Sequence, residues 1–227
     1  MVGTNRWARS LRFGRLPMYI PAAFAEPDLA TLHDFIEAHS FGMLVTQVEG
    51  QPFVSHLPFL LDRSAGPRGA LIGHMARANP QWQSMALQIA LAVFSGPHAY
   101  ISPAWYEAEN VVPTWNYIAV HAYGAPALIE DGPELLSIVE QSVQLFERSR
   151  SHPWVFEHPS VFVERLLEQI VGFRIPIDKI EGKWKLNQNH PVERRRKVAA
   201  ALNQRGDENS REIATAMIAS LPEAEGT

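Results

Sequence analysis

Apolar residues recur at two different spacings along this chain, and the change of period divides it into elements. Behind Asp28, the residues Leu29, Leu32, Phe35 and Ile36 share one helical face, which predicts an opening helix with an aspartate cap. The period then shortens. Segments 41–48, 52–61, 70–75, 89–95, 114–123 and 171–177 are short, rich in β-branched and aromatic residues, and punctuated by Gly or Pro, the signature of strands. Helical spacing returns over 134–150, where Leu135, Ile138, Val139, Val143 and Phe146 form a stripe, and again over 160–170. Two further helices are predicted over 192–204 and 210–221, separated by the polar stretch 205–209. The pattern predicts an α+β chain built on a barrel or sandwich, with no internal repeat.

Composition narrows the class. With 46% hydrophobic and 19% charged residues over 227 positions, the chain is neither disordered nor fibrous and can bury a substantial core. No run of 18 apolar residues occurs, so no transmembrane helix is expected. The absence of cysteine excludes disulfides, thiolate metal sites and a cysteine nucleophile. Residues 1–17 carry Arg6, Arg9, Arg12 and Arg15 and no acid, without the apolar core of a secretory signal. They read as an extension, from a start assigned too far upstream, a disordered basic arm or a short nucleic-acid-binding arm. Charge is uneven beyond them: residues 18–171 hold six Arg against sixteen acids, a balance of -10, whereas 172–206 hold nine Lys or Arg against three acids, a balance of +6. Complementarity within a dimer or a surface for phosphate-bearing ligands would each use that asymmetry.

Four stretches could carry chemistry. The first runs over 73–82, Gly-His-Met-Ala-Arg-Ala-Asn-Pro-Gln-Trp. Asn79 suits an N-cap and Pro80 a first helical position, so a helix is predicted to begin here, with its positive end, Arg77 and His74 able to meet an anion. A capped helix whose Arg makes a surface ion pair explains the same spacing. The second is 52–59, where alternation puts Val54, His56 and Pro58 on one face and Ser55 and Leu57 on the other. The third is aromatic, spanning 96–106 and 112–117, with His98, Tyr100, Trp115 and Asn116; rings there could stack on a ligand or fill a barrel end. The fourth, 181–189, alternates Lys183, Trp184 and Lys185 before three amides, and if extended places the two lysines on one face. Phosphate-loop, dinucleotide-turn, zinc-helix and nucleophile-elbow motifs are all missing, and the nine histidines show no short metal-ligand spacing, so no metal is expected.

In series, these stretches resemble the PaiB-like family of FMN-binding negative transcriptional regulators. The resemblance rests on Met18-Tyr19-Ile20-Pro21, His56-Leu57-Pro58-Phe59, the run from His74 to Pro80, the run from Gly96 to Pro103, the run from Val112 to Tyr117 and the run from Gly182 to Asn189. It implies an FMN-binding split β-barrel, mainly antiparallel, with flanking helices, related to pyridoxamine-phosphate oxidases and flavin reductases. Residues 18–190 would form this domain and 191–227 a helical tail. It further implies a cytoplasmic homodimer with flavin between the subunits. Arg77, with His74, Ala76 and Asn79, would hold the phosphate end; His56, Leu57 and Pro58 would approach the ring; Trp115, Asn116, Lys183, Trp184 and Lys185 would close the site, from the partner subunit or from the same one. Three functions follow: a flavin-dependent regulator, an FMN-dependent oxidoreductase or flavin reductase acting on a small molecule with His56, His98 or Tyr100 as proton-transfer group, or a haem-binding or haem-degrading split barrel. DNA could be a partner through the cationic block from Arg194 to Lys197, which lacks a recognition-helix pattern, and regulation could instead act through a protein partner or a nonspecific phosphate contact.

Overall fold

The computed structural model describes residues 18–155 and 161–222; the N-terminal extension and the last five residues lie outside this range. Ten strands form two antiparallel sheets. The larger holds β1 (Ala25–Glu26), β2 (Phe41–Val48), β3 (Gln51–Pro58), β6 (Ala90–Ile101), β7 (Thr114–Gly124) and β10 (Lys179–Lys185), in the order β1-β10-β7-β6-β2-β3. The smaller holds β4 (Leu60–Asp62), β5 (Ala70–Ala76), β8 (Ala127–Ile129) and β9 (Ile170–Pro176), in the order β4-β5-β9-β8. Helices α1 (Leu29–Ala38), α2 (Trp82–Met85), α3 (Gly132–Glu147), α4 (Val161–Leu167), α5 (Val192–Arg205) and α6 (Glu208–Ala219) pack around them. This is a split β-barrel, mainly antiparallel, with flanking helices.

Most predicted elements recur with changes of boundary, the largest in β6, predicted over 89–95 and running to Ile101. Asp28 caps α1 by accepting from the Thr31 amide at 2.8 Å, and Asp131 caps α3 through Glu134. The stretch predicted as one strand over 52–61 is two, because Phe59 turns into the core between β3 and β4 and its amide is taken by the Ser40 carbonyl. The spacing of 181–189 predicts a strand there only if the segment is extended, since its charges resemble those of a solvated loop. Pairing with β7 along seven residues fixes it. Gly182 permits that pairing: a Cβ there would come within 2.2 Å of Leu32 on α1.

The main core lies between the sheets, around Leu44, Phe59, Phe94, Ile118, Val120 and Phe173. A second cluster, Leu60, Ile72, Ile129, Leu135 and Ile138, fixes α3 against the outside of the smaller sheet. The tail helices belong to the main core: Val198, Leu202, Ile213 and Met217 are fully buried within it, and Gly206, at φ +79°, makes the tight turn between α5 and α6. Helices α5 and α6 therefore pack against the barrel through the main core.

Candidate functional site

The inward face of the larger sheet is filled, and its outward face is not covered by any helix among the described residues. Register decides which residues share that outward face. Across β3, β2, β6, β7 and β10 it carries Val54, His56 and Pro58; Phe41, Met43 and Val45; Leu91, Val93, His98 and Tyr100; Trp115, Tyr117, His121 and Tyr123; and Lys179, Glu181, Lys183 and Lys185. Phe41 is 67% exposed, Trp115 53% and Tyr100 40%. A bulge in β6 makes this face continuous. Gly96 and Pro97 form an irregularity between Ser95 and His98, and the extra residue keeps His98 and Tyr100 outward, opposite Tyr117 and Trp115. Trp115 meets Tyr100 edge-on at 5.9 Å and His98 at 6.1 Å.

The structure thus brings His56, His98, Tyr100, Trp115, Lys183 and Lys185 onto one surface. It turns Leu57, Asn116 and Trp184 to the other side. Asn116 is fully buried beneath α6, where Nδ2 contacts the Met217 sulfur at 3.4 Å and Oδ1 has no partner. Trp184 packs edge-on against Phe35 at 5.3 Å. These side chains build the wall behind the surface. A flavin on the outer face would not touch them.

The 73–82 segment departs from expectation. The helix predicted at Asn79-Pro80 is a single turn starting at Trp82, because Asn79 closes a local turn instead: its Oδ1 accepts from the Gln81 amide at 3.0 Å while Nδ2 donates to Ser55 on β3 at 2.8 Å. With four residues, α2 has little dipole to offer an anion. His74 pairs across to Gly172 and shares the alternation of Ile72, toward α3. Burial pushes its imidazole below the ordinary 6.5. Ala76 ends β5. Arg77 donates from Nε to the Glu168 carbonyl at 2.9 Å, from Nη2 to the Ile170 carbonyl at 3.1 Å and from Nη1 to the Glu130 carboxylate at 2.9 Å. Its guanidinium also lies 5.7 Å from the Trp82 ring centre. Glu130 was not anticipated, since nothing in its sequence context marks it.

Other unanticipated groups lie on β7 and β10. Glu181 accepts from Lys179 at 2.8 Å, from the Met18 amide at 3.1 Å and from the Tyr123 hydroxyl. Burial alone would raise its pKa, yet these bonds together hold it below the ordinary carboxylate value. Burial, and then the neighbouring Glu181, pushes the Tyr123 phenol up, and burial lowers His121. The period-two pattern of β7 could have shown these residues, but only pairing with β10 joins them.

Along the sheet, β3 and β10 are four inter-strand spacings apart, about 19 Å. His56 on β3 and the lysines of β10 therefore stand at opposite sides of the face within one chain, and Arg77 follows β5 of the smaller sheet. The cationic block is dispersed as well. Arg195 is buried against the end of α6, Arg194 bonds His190 at 3.1 Å beside Tyr106, and Lys197 pairs with Glu107. No group of three metal-binding side chains occurs among the described residues, and none of their helices is long and apolar enough to cross a membrane.

An open aromatic surface with lysines along one side fits a planar, phosphate-bearing cofactor such as FMN: exposed rings offer stacking faces and the lysines offer charge, while Arg77 lies beside the smaller sheet. Residues 18–179 match the family model described as "Putative FMN-binding domain". The chain is 36% identical over 202 residues to protease synthase and sporulation protein PAI 2 of Bacillus subtilis, covering 88% of this chain and 96% of that one. Among solved structures it resembles the flavocytochrome Anf3 of Azotobacter vinelandii, with a TM-score of 0.55 and 17% identity over 71% of this chain and 69% of that chain. It also resembles the FAD and heme binding protein of Mycobacterium smegmatis, with a TM-score of 0.52 and 14% identity over 71% and 73%.

Proposed function

Since this chain belongs to the FMN-binding family whose model spans residues 18–179, we propose that it acts as a cytoplasmic homodimeric regulator of the PaiB type, with FMN held between two outward sheet faces. The observation that carries this reading is the uncovered face itself. Phe41, Met43, Val45, Val54, Val93, Tyr100 and Trp115 make an apolar surface of the kind that a monomer seldom leaves open. A second copy would cover it isologously.

When bound, FMN supplies electron and hydride transfer, and the chain supplies binding and orientation. At the phosphate end, Arg77 would exchange the Glu130 carboxylate for phosphate oxygens, with Asn79 and His74 nearby. His56 and Pro58 on β3 would border the ring. Tyr100 of the partner subunit would help to close the groove. His98, exposed beside Trp115, is positioned to hold or move a proton there, which favours an oxidoreductase as the second reading.

Regulation through a protein partner fits the surface better than direct DNA reading. Three of the four cations from Arg194 to Lys197 are committed to intramolecular contacts, so the block cannot present four charges to a phosphate backbone.

The experiment combines light scattering with the visible spectrum of protein reconstituted with FMN. The wild type should be a dimer with a flavin spectrum. Phe41→Glu, which buries two charges at the proposed interface, should give a folded monomer with reduced flavin occupancy. A wild type that stays monomeric, or that remains colourless after reconstitution, would overturn the reading.

A further inference from the structure

The chain contains only four lysines, and three of them, Lys179, Lys183 and Lys185, alternate along the outer face of β10. Their surroundings differ. Lys179 is neutralised by Glu181, whose carboxylate is then fully engaged by Met18 and Tyr123. Lys183 and Lys185 form no ion pair among the described residues. Lys183 is only 6% exposed, and its Nζ donates to the Tyr19 carbonyl at 2.8 Å with the Tyr19 and Tyr117 rings each 5.3 Å away. Lys185 donates to Thr114 Oγ1. Burial, and then the charge of Lys183, lowers the Lys185 ammonium. Each ammonium has three N–H donors and spends one on the protein. Two adjacent cations, one almost wholly buried, therefore keep unspent donors and no counter-anion, an arrangement that costs free energy unless an anion completes it.

The flavin phosphate has its own candidate anchor in Arg77, which follows β5 of the smaller sheet and is held beside β9 and Glu130, whereas the two lysines stand on β10 of the larger sheet. Resting on the reading of the outer face as the flavin groove, we propose that Lys183 and Lys185 hold the phosphate of a second ligand, a nucleotide that shares that groove. The register supports a nucleotide rather than a bare anion. Lys185 stands opposite Tyr117, and Trp115 lies two residues further along β7 on the same face, about 7 Å away. A phosphate on the lysines would thus place a base on Trp115, with the ribose spanning Tyr117. Aromatic stacking together with two ammonium contacts is the chemistry that recognises a nucleoside phosphate.

The test is calorimetric titration of AMP and of adenosine into the FMN-loaded protein and the apoprotein. AMP should bind the wild type, and adenosine much more weakly. Lys185→Met should weaken AMP by about tenfold or more while leaving the adenosine affinity as it was, since one charge-assisted contact is lost. Melting temperatures add an independent readout. Ligand-free Lys183→Met should melt no lower than the wild type, because it removes an uncompensated buried charge, and AMP should raise the melting temperature of the wild type alone. The proposal is overturned if the wild type does not bind AMP, if Lys185→Met binds AMP as the wild type does, or if Lys183→Met melts several degrees lower. It is also overturned if Lys185→Met loses FMN but keeps AMP, which would assign the pair to the flavin. Lysine-dependent AMP binding by a protein that takes up no flavin would support the subsite and remove the flavin reading alone.

Discussion

Arg77 shows how one side chain carries two demands. Two of its donors hold the carbonyls of Glu168 and Ile170, and the third meets Glu130, a half-exposed carboxylate placed where a phosphate oxygen would be welcome. An exposed ion pair is worth little on its own, whereas charge-assisted bonds to backbone carbonyls are worth more. Arg77→Ala should therefore cost about 2 kcal/mol in urea unfolding and should also weaken FMN. Glu130→Gln separates the two effects. It removes the competing charge and leaves the carbonyl bonds, so FMN should bind more tightly while riboflavin, which lacks the phosphate, binds as before. Fluorescence quenching by each flavin measures this, and equal changes for both would remove Arg77 from the phosphate end. The sequence showed an arginine in a turn; it could not show which acid, 53 residues away, would reach it.

The helical hairpin of α5 and α6 raises the same question for a whole element. The cationic run from Arg194 to Lys197 reads from sequence as a solvated helix end or a weak DNA contact. In the fold Arg195 turns inward and closes the C-terminus of α6, donating to the Ser220 carbonyl at 2.9 Å and to its hydroxyl at 2.6 Å. Burial lowers the guanidinium's pKa without a carboxylate to offset it, so the carbonyls at the negative end of α6 serve as its counter-charge. Arg195→Ala should cost about 2–3 kcal/mol by urea denaturation, through orphaned carbonyls and lost packing. If stability is unchanged, the cap is not holding the hairpin. Helix spacing placed α5 and α6 within a residue or two, but nothing local marked the hairpin as packing into the main core. That depended on Ala99 and Asn116 leaving space where α6 lies.

Across the molecule, acid sensitivity follows from where the histidines lie. His74, His121 and His190 are all held below the ordinary 6.5, in each case first by burial, with Arg194 adding to the effect at His190. A histidine whose folded pKa is lowered binds its proton more readily in the unfolded chain, so its penalty is absent above about 6.5 and grows as pH falls toward the folded value. The melting temperature should be flat from pH 8 to 7 and fall between pH 6.5 and 5. His190→Asn, next to the Arg194 guanidinium, should flatten part of that fall; an unaltered profile would place the sensitivity elsewhere. Most element types, the alternation within the predicted strands and the residues able to carry chemistry were legible in the chain, because period, capping and side-chain type are local properties. That His56, His98, Tyr100, Trp115 and the two lysines share one outward face while Asn116 and Trp184 turn inward was settled by the fold. Strand order, the bulge at Gly96-Pro97 and the pairing of β10 with β7 set that division, and each depends on contacts between segments far apart in the chain.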